Sequence, residues 1–303
     1  MESLVSFSKW LSKWFTVAVI LWAAFNYALP TTSSWVIPNT AYLLGLILFG
    51  MGLTLTTEDF KRIAKRPIPV VLGTVAHYVI MPGLAWLLCM IFHLKGATAA
   101  GVILVGSCPS GTSSSVMAFL SGGDVALDVS IETLSTLLSF LAGQYVSVPA
   151  QSLFLSTLRI VVVPIILGVL VHSIFGKKID AIIKIMPLIS QAAILLIVGA
   201  VVSANHANIF TAATALVIPV VMLHNLCGYA LGFGFSKILG LEEPQQKAIT
   251  FEVGMQDSSL GATLAMKYFV PQAAIPSTIF SIWHNISGSI LSSWWKNHSK
   301  NSH

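Results

Sequence analysis

Four carboxylates stand where an apolar chain has no ordinary use for them. Asp128 and Glu132 lie in VALDVSIETLST, Glu252 and Asp257 lie in TFEVGMQDSS, and apolar runs border both stretches. Asp128 and Glu132 are four residues apart and share one face of a helix. Like charges placed so repel, and each costs roughly 2.5–3.5 kcal/mol at a membrane centre on insertion scales. A bound cation, or a proton held on one of the carboxyls, removes that cost. Hard oxygen donors suit small cations rather than soft transition metals. His77, His224 and His284 are scattered with no HxxxH-type spacing, so no zinc site is expected. A lone histidine in an apolar span is ordinarily a hydrogen-bonded packing residue. His284 is the exception, because Asn285 adjoins it in SIWHNISGS, and the pair is a candidate substrate contact.

The elements that must hold these groups are membrane helices. Of the residues, 55% are hydrophobic and 9% charged, with a mean hydropathy of +0.85, whereas soluble domains carry about 25% charged residues. Apolar runs near the length of a membrane-spanning helix, about 20 residues, fill nearly the whole chain. They fall at 14–29, 36–55, 68–92, 98–119, 125–144, 153–175, 187–204, 210–235, 248–269 and 273–294. The chain reads as one polytopic unit over 1–303, with residues 9–29 as a retained span rather than a cleaved leader. Cys89, Cys108 and Cys227 all lie within apolar runs, as buried thiols rather than a disulfide framework. Trp14, Trp35, Trp294 and Trp295 fall at predicted span ends, as an interfacial belt requires.

The basic residues set the orientation. Lys9, Lys13, Lys61, Arg62, Lys65, Arg66, Lys177, Lys178, Lys184, Lys237, Lys247, Lys296 and Lys300 fall on one side of the ten-span plan. Lys95 and Lys267 fall on the other, and Arg159 lies inside a segment. Basic loops stay in the cytoplasm, so both termini are expected there. This placement explains the net charge of +5 without nucleic acid as a partner.

Ten spans divide into two sets of five, and an odd number per set inverts the second relative to the first. The fourth span of the first set contains VGSCPSGTSSSVM (105–117), and that of the second contains FEVGMQDSSLGA. Pro109 and Gly111 sit poorly in a continuous helix. One such break alone fits tight packing of small residues. Two in corresponding segments, one with carboxylates, point to a transporter site. A broken helix frees backbone N–H and C=O groups at a depth where lipid cannot satisfy them, so they must line a protein interior or a wet cavity. Freed carbonyls attract cations and half-helix amino ends attract anions.

FGMGLTL (49–55), CPSGT with its serine run (108–115), EVGMQ (252–256) and FSIWHNISGS (280–289) occur in that order. Together they resemble the bile acid:sodium symporter family, above all its bacterial members, over nearly the whole chain. The resemblance implies an all-α membrane fold of ten helices, built as two inverted five-helix repeats whose fourth and ninth helices are discontinuous and cross. It implies a panel part (about 14–55 and 153–204) moving against a core part (about 68–144 and 210–294). It implies sodium-coupled import of an organic acid, bile-acid-like or pantoate-like, at a bacterial inner membrane, with no cofactor. One cation set then falls on Ser114, Ser115, Asp128, Glu132 and Glu252. A second falls on His77, Glu252, Val253, Met255 and Gln256, with the carbonyls of Val253 and Met255 contributing. Substrate contacts fall near Thr112, Asp257, His284 and Asn285.

The chain departs from the family pattern at these same places. Bacterial relatives usually carry Asn at 115 and 257, hydroxyl residues at 128 and 132, and often Gln at 77. The fifth segment also ends early, without the usual proline-containing second half. One cation beside three carboxylates leaves excess negative charge, so at least one carboxyl is expected to hold a proton and coupling to sodium, protons or both is open. A ligand-binding membrane sensor or an uncoupled facilitator is the alternative function. A membrane-embedded hydrolase is more remote, since no nucleophile motif stands out around SGTSSS and His284.

Overall fold

The computed structural model describes residues 2–111, 113–143, 162–209 and 215–298, with the single positions 155 and 159. Thr112 and the end of the fifth apolar segment lie outside the described residues. The first half contains α1 (Glu2–Ala28), α2 (Thr40–Gly52), α3 (Thr57–Lys65), α4 (Ile68–Ile91), α5 (Gly96–Gly106), α6 (Ser113–Ser121) and α7 (Val125–Gly143). The second contains α8 (Val163–Phe175), α9 (Asp180–Ile209), α10 (Val217–Ile238), α11 (Glu243–Gly254), α12 (Ser258–Tyr268) and α13 (Ile275–His298). A 3-10 turn, Ser34–Asn39, leads into α2 and carries Pro38, which a 3-10 stretch tolerates better than a helix interior.

Four stretches are long and apolar enough to cross a membrane unaided: Ser34–Gly52, Ile68–Ile91, Ile182–Ala204 and Val217–Ile238. The molecule is therefore an all-helical integral membrane protein. Val17–Ala28, Gly96–Gly106 and Val163–Phe175 are apolar but shorter. The half-helices explain part of the difference from the ten expected spans. α5 and α6 have 11 and 9 residues, and α11 and α12 have 12 and 11. At about 1.5 Å per residue each reaches roughly half of a ~30 Å hydrocarbon core, so only the two in tandem traverse it.

Two sets of helices pack within themselves. α1 lies on α9, and α2 on α8 and α9. Elsewhere α4 contacts α5, α7, α10 and α11, while α6 contacts α7, α11 and α13. The sets meet where α13 lies on α1 and α9, and where α2 touches α6. At the α2–α8 crossing a Cβ on Gly168 would lie 2.7 Å from Gly52 Cα, so the two backbones touch only because both residues lack a side chain.

Local chemistry fixes the helix that carries two of the carboxylates. Thr56 and Asp59 form a reciprocal capping box that starts the charged helix α3. Arg62 on α3 then reaches Asp124 at 3.2 Å. Asp124 caps α7, accepting from Leu127 N at 3.1 Å, while its own N donates to Pro244 O at 2.8 Å. The start of α7 is thus pinned to both α3 and the head of α11. At the other end of the chain, Trp14, Trp35 and Trp294 are exposed, as expected, but Trp295 is buried. Its ring meets Phe251 at 5.5 Å and Phe233 at 6.0 Å, so Trp295 locks α13 to α11 and is not part of an interfacial belt.

Candidate ion and substrate site

The two breaks touch. α5 ends at Gly106 and α6 begins at Ser113; α11 ends at Gly254 and α12 begins at Ser258. Ser110 and Gln256 pair as an isolated antiparallel bridge, the one β-type pairing among the described residues. Asp257 N donates to Pro109 O at 2.9 Å and Gly111 N donates to Met255 O at 3.3 Å. A Cβ on Gly111 would lie 2.6 Å from Gln256 O, so glycine is what permits the approach. The crossing answers the problem that a broken helix creates, since each break satisfies backbone groups of the other.

Asp128, Glu132 and Glu252 each bring an oxygen to within 4.8 Å of the others. All three are fully or almost fully buried. Ser114 Oγ donates to Glu252 Oε1. Ser115 Oγ lies 2.5 Å from Asp128 Oδ2 and 3.0 Å from Glu132 Oε2. Asp128 Oδ1 and Glu252 Oε2 have no hydrogen-bond partner among the described residues. Buried oxygens left so are costly, at about 1–3 kcal/mol each and more when charged. The donor set, carboxylate and hydroxyl oxygen, is what a small hard cation takes. Asp128 is therefore not a solvated residue at the membrane interface. Lys247, on the same helix as Glu252, is 2.7 Å from Glu243 and donates to Ser121 O at 3.1 Å.

The second expected set is arranged differently. Val253 O accepts from Gln256 Nε2 at 3.2 Å, and Met255 O accepts from Gly111 N at 3.3 Å and from Ser110 Oγ at 3.4 Å. Gln256 Oε1 is buried without a hydrogen-bond partner among the described residues. His77 bridges the breaks, with Nδ1 2.8 Å from Glu252 O and Nε2 3.0 Å from Cys108 O.

Of the expected substrate contacts, Thr112 lies outside the described residues and the other three are placed as follows. Asp257 accepts from Leu260 N at 2.9 Å and is the N-cap of α12. His284 is buried with its ring 5.4 Å from Phe280, and its Nδ1 has no partner among the described residues. Asn285 lies with Ser113 and Ile197 in a cleft of about 10 Å³ where α2 and α9 face α6 and α13. A cavity of about 300 Å³ opens along the same seam and is lined by Thr40, Ala204, Ser258, Ser277, Thr278 and Ser281.

Sequence reasoning passed over Ser110, Asn225 and Ser287. Asn225 Nδ2 donates to Gly254 O at 2.8 Å, and Ser287 Oγ donates to Asn225 Oδ1 at 2.6 Å. This pair satisfies a carbonyl freed where α11 ends. The signal was present in LHNLCGY, where the polar residue of consequence is Asn225 as well as His224.

Comparison with known proteins gives a consistent result. The Sodium Bile acid symporter family matches residues 41–212. The uncharacterised sodium-dependent transporter YocS of Bacillus subtilis (strain 168) is 42% identical over 97% of this chain and 94% of that protein. The probable sodium/metabolite cotransporter BASS1, chloroplastic, of Arabidopsis thaliana is 33% identical over 97% of this chain and 78% of its own. The ileal sodium/bile acid cotransporter of Homo sapiens is 28% identical over 76% and 69% respectively.

Proposed function

This chain belongs to the sodium bile acid symporter family and is a transporter rather than an enzyme, and from that premise we propose that it imports a small organic acid together with sodium and a proton. The hydrolase alternative falls with family membership. Sodium is assigned to the pocket of Ser114, Ser115, Asp128, Glu132 and Glu252. The observation that carries this reading is the trio of buried carboxyls at the crossing, two of them with an oxygen that has no hydrogen-bond partner among the described residues.

The proton follows from Ser115. Its hydroxyl has one hydrogen but two carboxyl contacts, at 2.5 and 3.0 Å. With that hydrogen on Asp128, the second contact is satisfied when Glu132 is the protonated acid and donates to Ser115 Oγ. Sodium and this proton together leave the trio with a single net negative charge.

The seam supports the substrate assignment. Thr112, Asp257, His284 and Asn285 are proposed contacts, reached through the serine-lined cavity. Its volume of about 300 Å³ is at the small end for ligand pockets and favours a small carboxylate over a steroid acid. The α6 amino end faces the crossing and suits an anion. α1, α2, α8 and α9 are proposed as the panel, and the helices at about 68–144 and 210–294 as the core, in a ten-span inverted repeat with both termini cytoplasmic. Alternating access is then motion along the seam.

The test is thermal stability of the purified chain against a panel of small carboxylates, with sodium or potassium. A ligand that binds the folded state raises stability by mass action. Sodium alone is expected to stabilise, and an acid to add to this only when sodium is present. Equal responses to sodium and potassium would remove the pocket from the mechanism. Counterflow of the identified acid in proteoliposomes then separates a transporter from a sensor, which binds without exchange.

A further inference from the structure

We infer that Asn225 and Ser287 are positioning residues that link the end of the broken helix α11 to the face of α13 that carries His284 and Asn285, so that sodium at Glu252 sets how those two contacts are presented. The inference rests on the proposed sodium pocket and on the proposed substrate contacts. α10 packs on both α11 and α13 and reaches each of them with polar side chains.

The direction of each hydrogen bond follows from what the groups can give. α11 ends at Gly254, two residues past Glu252. The carbonyl of Gly254 only accepts, so the Asn225 amide must turn its nitrogen to it, at 2.8 Å. Oδ1 of the same amide then faces Ser287 Oγ at 2.6 Å and takes the one hydrogen that the hydroxyl has. A carbonyl of α11, an amide of α10 and a hydroxyl of α13 thus form one line. Asn225 and Ser287 are buried, where such bonds are stronger than in water and a lost partner is costly.

Ser287 also has an alternative. His284 O, on its own helix, lies 3.3 Å from Oγ. One hydrogen does not serve both acceptors. While Gly254 O holds the amide, the hydroxyl points across to α10. When the end of α11 moves off, the hydroxyl turns back on His284 O, and serine bonded back to its own helix bends it. The carbonyl affected belongs to one proposed substrate contact and adjoins the other. Tyr229 is placed to follow the exchange. A Cβ on Gly254 would fall on its ring, so the ring rests against the end of α11. Its hydroxyl lies 3.4 Å from Ser287 Oγ and 3.5 Å from His284 O, and it donates to whichever oxygen Ser287 leaves. Trp295 on Phe251 also joins α13 to α11, but packed rings carry no hydrogen to redirect.

Fluorine-19 spectra of the full chain in nanodiscs, labelled with 5-fluorotryptophan, test this. Trp283 lies one turn before Ser287 on the same face of α13, and its resonance is identified by its loss in Trp283→Phe. Sodium, with potassium as the control, is expected to shift that resonance in the wild type. Ser287→Ala removes one oxygen, and Asn225→Ala removes the amide. In both, sodium is expected still to raise thermal stability while the shift at Trp283 is lost. Ser287→Thr keeps the hydroxyl and is expected to restore the shift. A merely structural serine would lower stability and leave the shift intact, and that result overturns the inference. So does a wild type that sodium stabilises without moving Trp283. Glu252→Gln separates the link from the sodium pocket, because it disturbs the last turn of α11 with no ion needed. It is expected to move the Trp283 resonance in the wild-type background and not in Ser287→Ala, a double-mutant cycle that reads the link alone. Absent sodium binding would discard the pocket, and equal shifts in the two backgrounds would discard the link.

Discussion

A serine hydroxyl shared by two acids is a sensitive reporter of where a proton sits. If Glu132 donates to Ser115, then glutamine at 132 supplies the same N–H donor permanently and needs no proton. The loaded wild-type pocket binds that proton, so raising pH opposes loading, by up to about tenfold per pH unit for the one proton involved. Glu132→Gln is expected to keep sodium-driven uptake, to lose proton movement, and to hold its activity at alkaline pH where the wild type declines. A pH dye inside proteoliposomes checks this; acidification in the variant equal to that of the wild type would discard Glu132 as the carrier. Asp257 belongs at this scale too, and beside its proposed substrate contact it has a structural task. It caps α12 through Leu260 N at 2.9 Å. Asn caps as well as Asp, and Ala does not, at a cost of about 0.5–2 kcal/mol. Asp257→Ala is therefore expected to lower thermal stability and Asp257→Asn to leave it nearly unchanged. Equal losses in both would show that the carboxylate charge, not the cap, is what matters there.

The broken helices are held by backbone contact, so their weak points are glycines rather than charges. A methyl on Gly111 would press within 2.6 Å of Gln256 O and 3.2 Å of Asp257 N, and both are main chain. The breaks must part to admit it. Gly111→Ala is expected to cost about 1–3 kcal/mol, as overpacking does, and to abolish the sodium-induced rise in stability. Gly83→Ala is the control. It has nothing within 4 Å of its missing Cβ and sits in α4, where Ala is favoured over Gly by about 0.5–1 kcal/mol. A sodium response that survives in Gly111→Ala would mean the crossing need not be tight. The positions of both breaks were legible in sequence, because proline, glycine and serine clustered in an apolar run disfavour a continuous helix. So was the shared face of Asp128 and Glu132, which follows from helical spacing. The bridge made by His77 was not legible, since its partners are carbonyls, and one of them, Glu252 O, lies 175 residues away. No side-chain pattern announces an acceptor on the main chain. Trp295 misled for a related reason: an aromatic at a span end reads as a belt residue until its packing on Phe251 is known.

For the molecule as a whole, the orientation and the seam stand or fall together. The proposed topology puts the termini and the α3 region on one side, on the rule that basic loops stay in the cytoplasm. The serine-lined cavity is bounded by Thr40 near the start of α2 and by Ser281 near the start of α13. In the proposed topology both lie toward the opposite, external side. A second cavity, about 580 Å³ and mostly apolar, is bounded by Thr57 at the head of α3 and by residues of α7 and α8. In the same proposed topology Thr57 lies toward the cytoplasm. Between the helix sets, the cleft at Asn285 holds only about 10 Å³, which is barely one water. In the proposed mechanism, a passage narrowed there is opened by moving one helix set against the other. The check is single cysteines in a background with Cys89, Cys108 and Cys227 replaced. Ser281→Cys is expected to react with a membrane-impermeant maleimide in intact cells, and Thr57→Cys only after the membrane is opened. Sodium together with an identified acid is expected to change the rate at Ser281→Cys, because loading the site biases the two arrangements differently. Reversed sidedness would invert the topology. A rate indifferent to both ligands, in a variant that still transports, would separate the serine-lined cavity from the transport path.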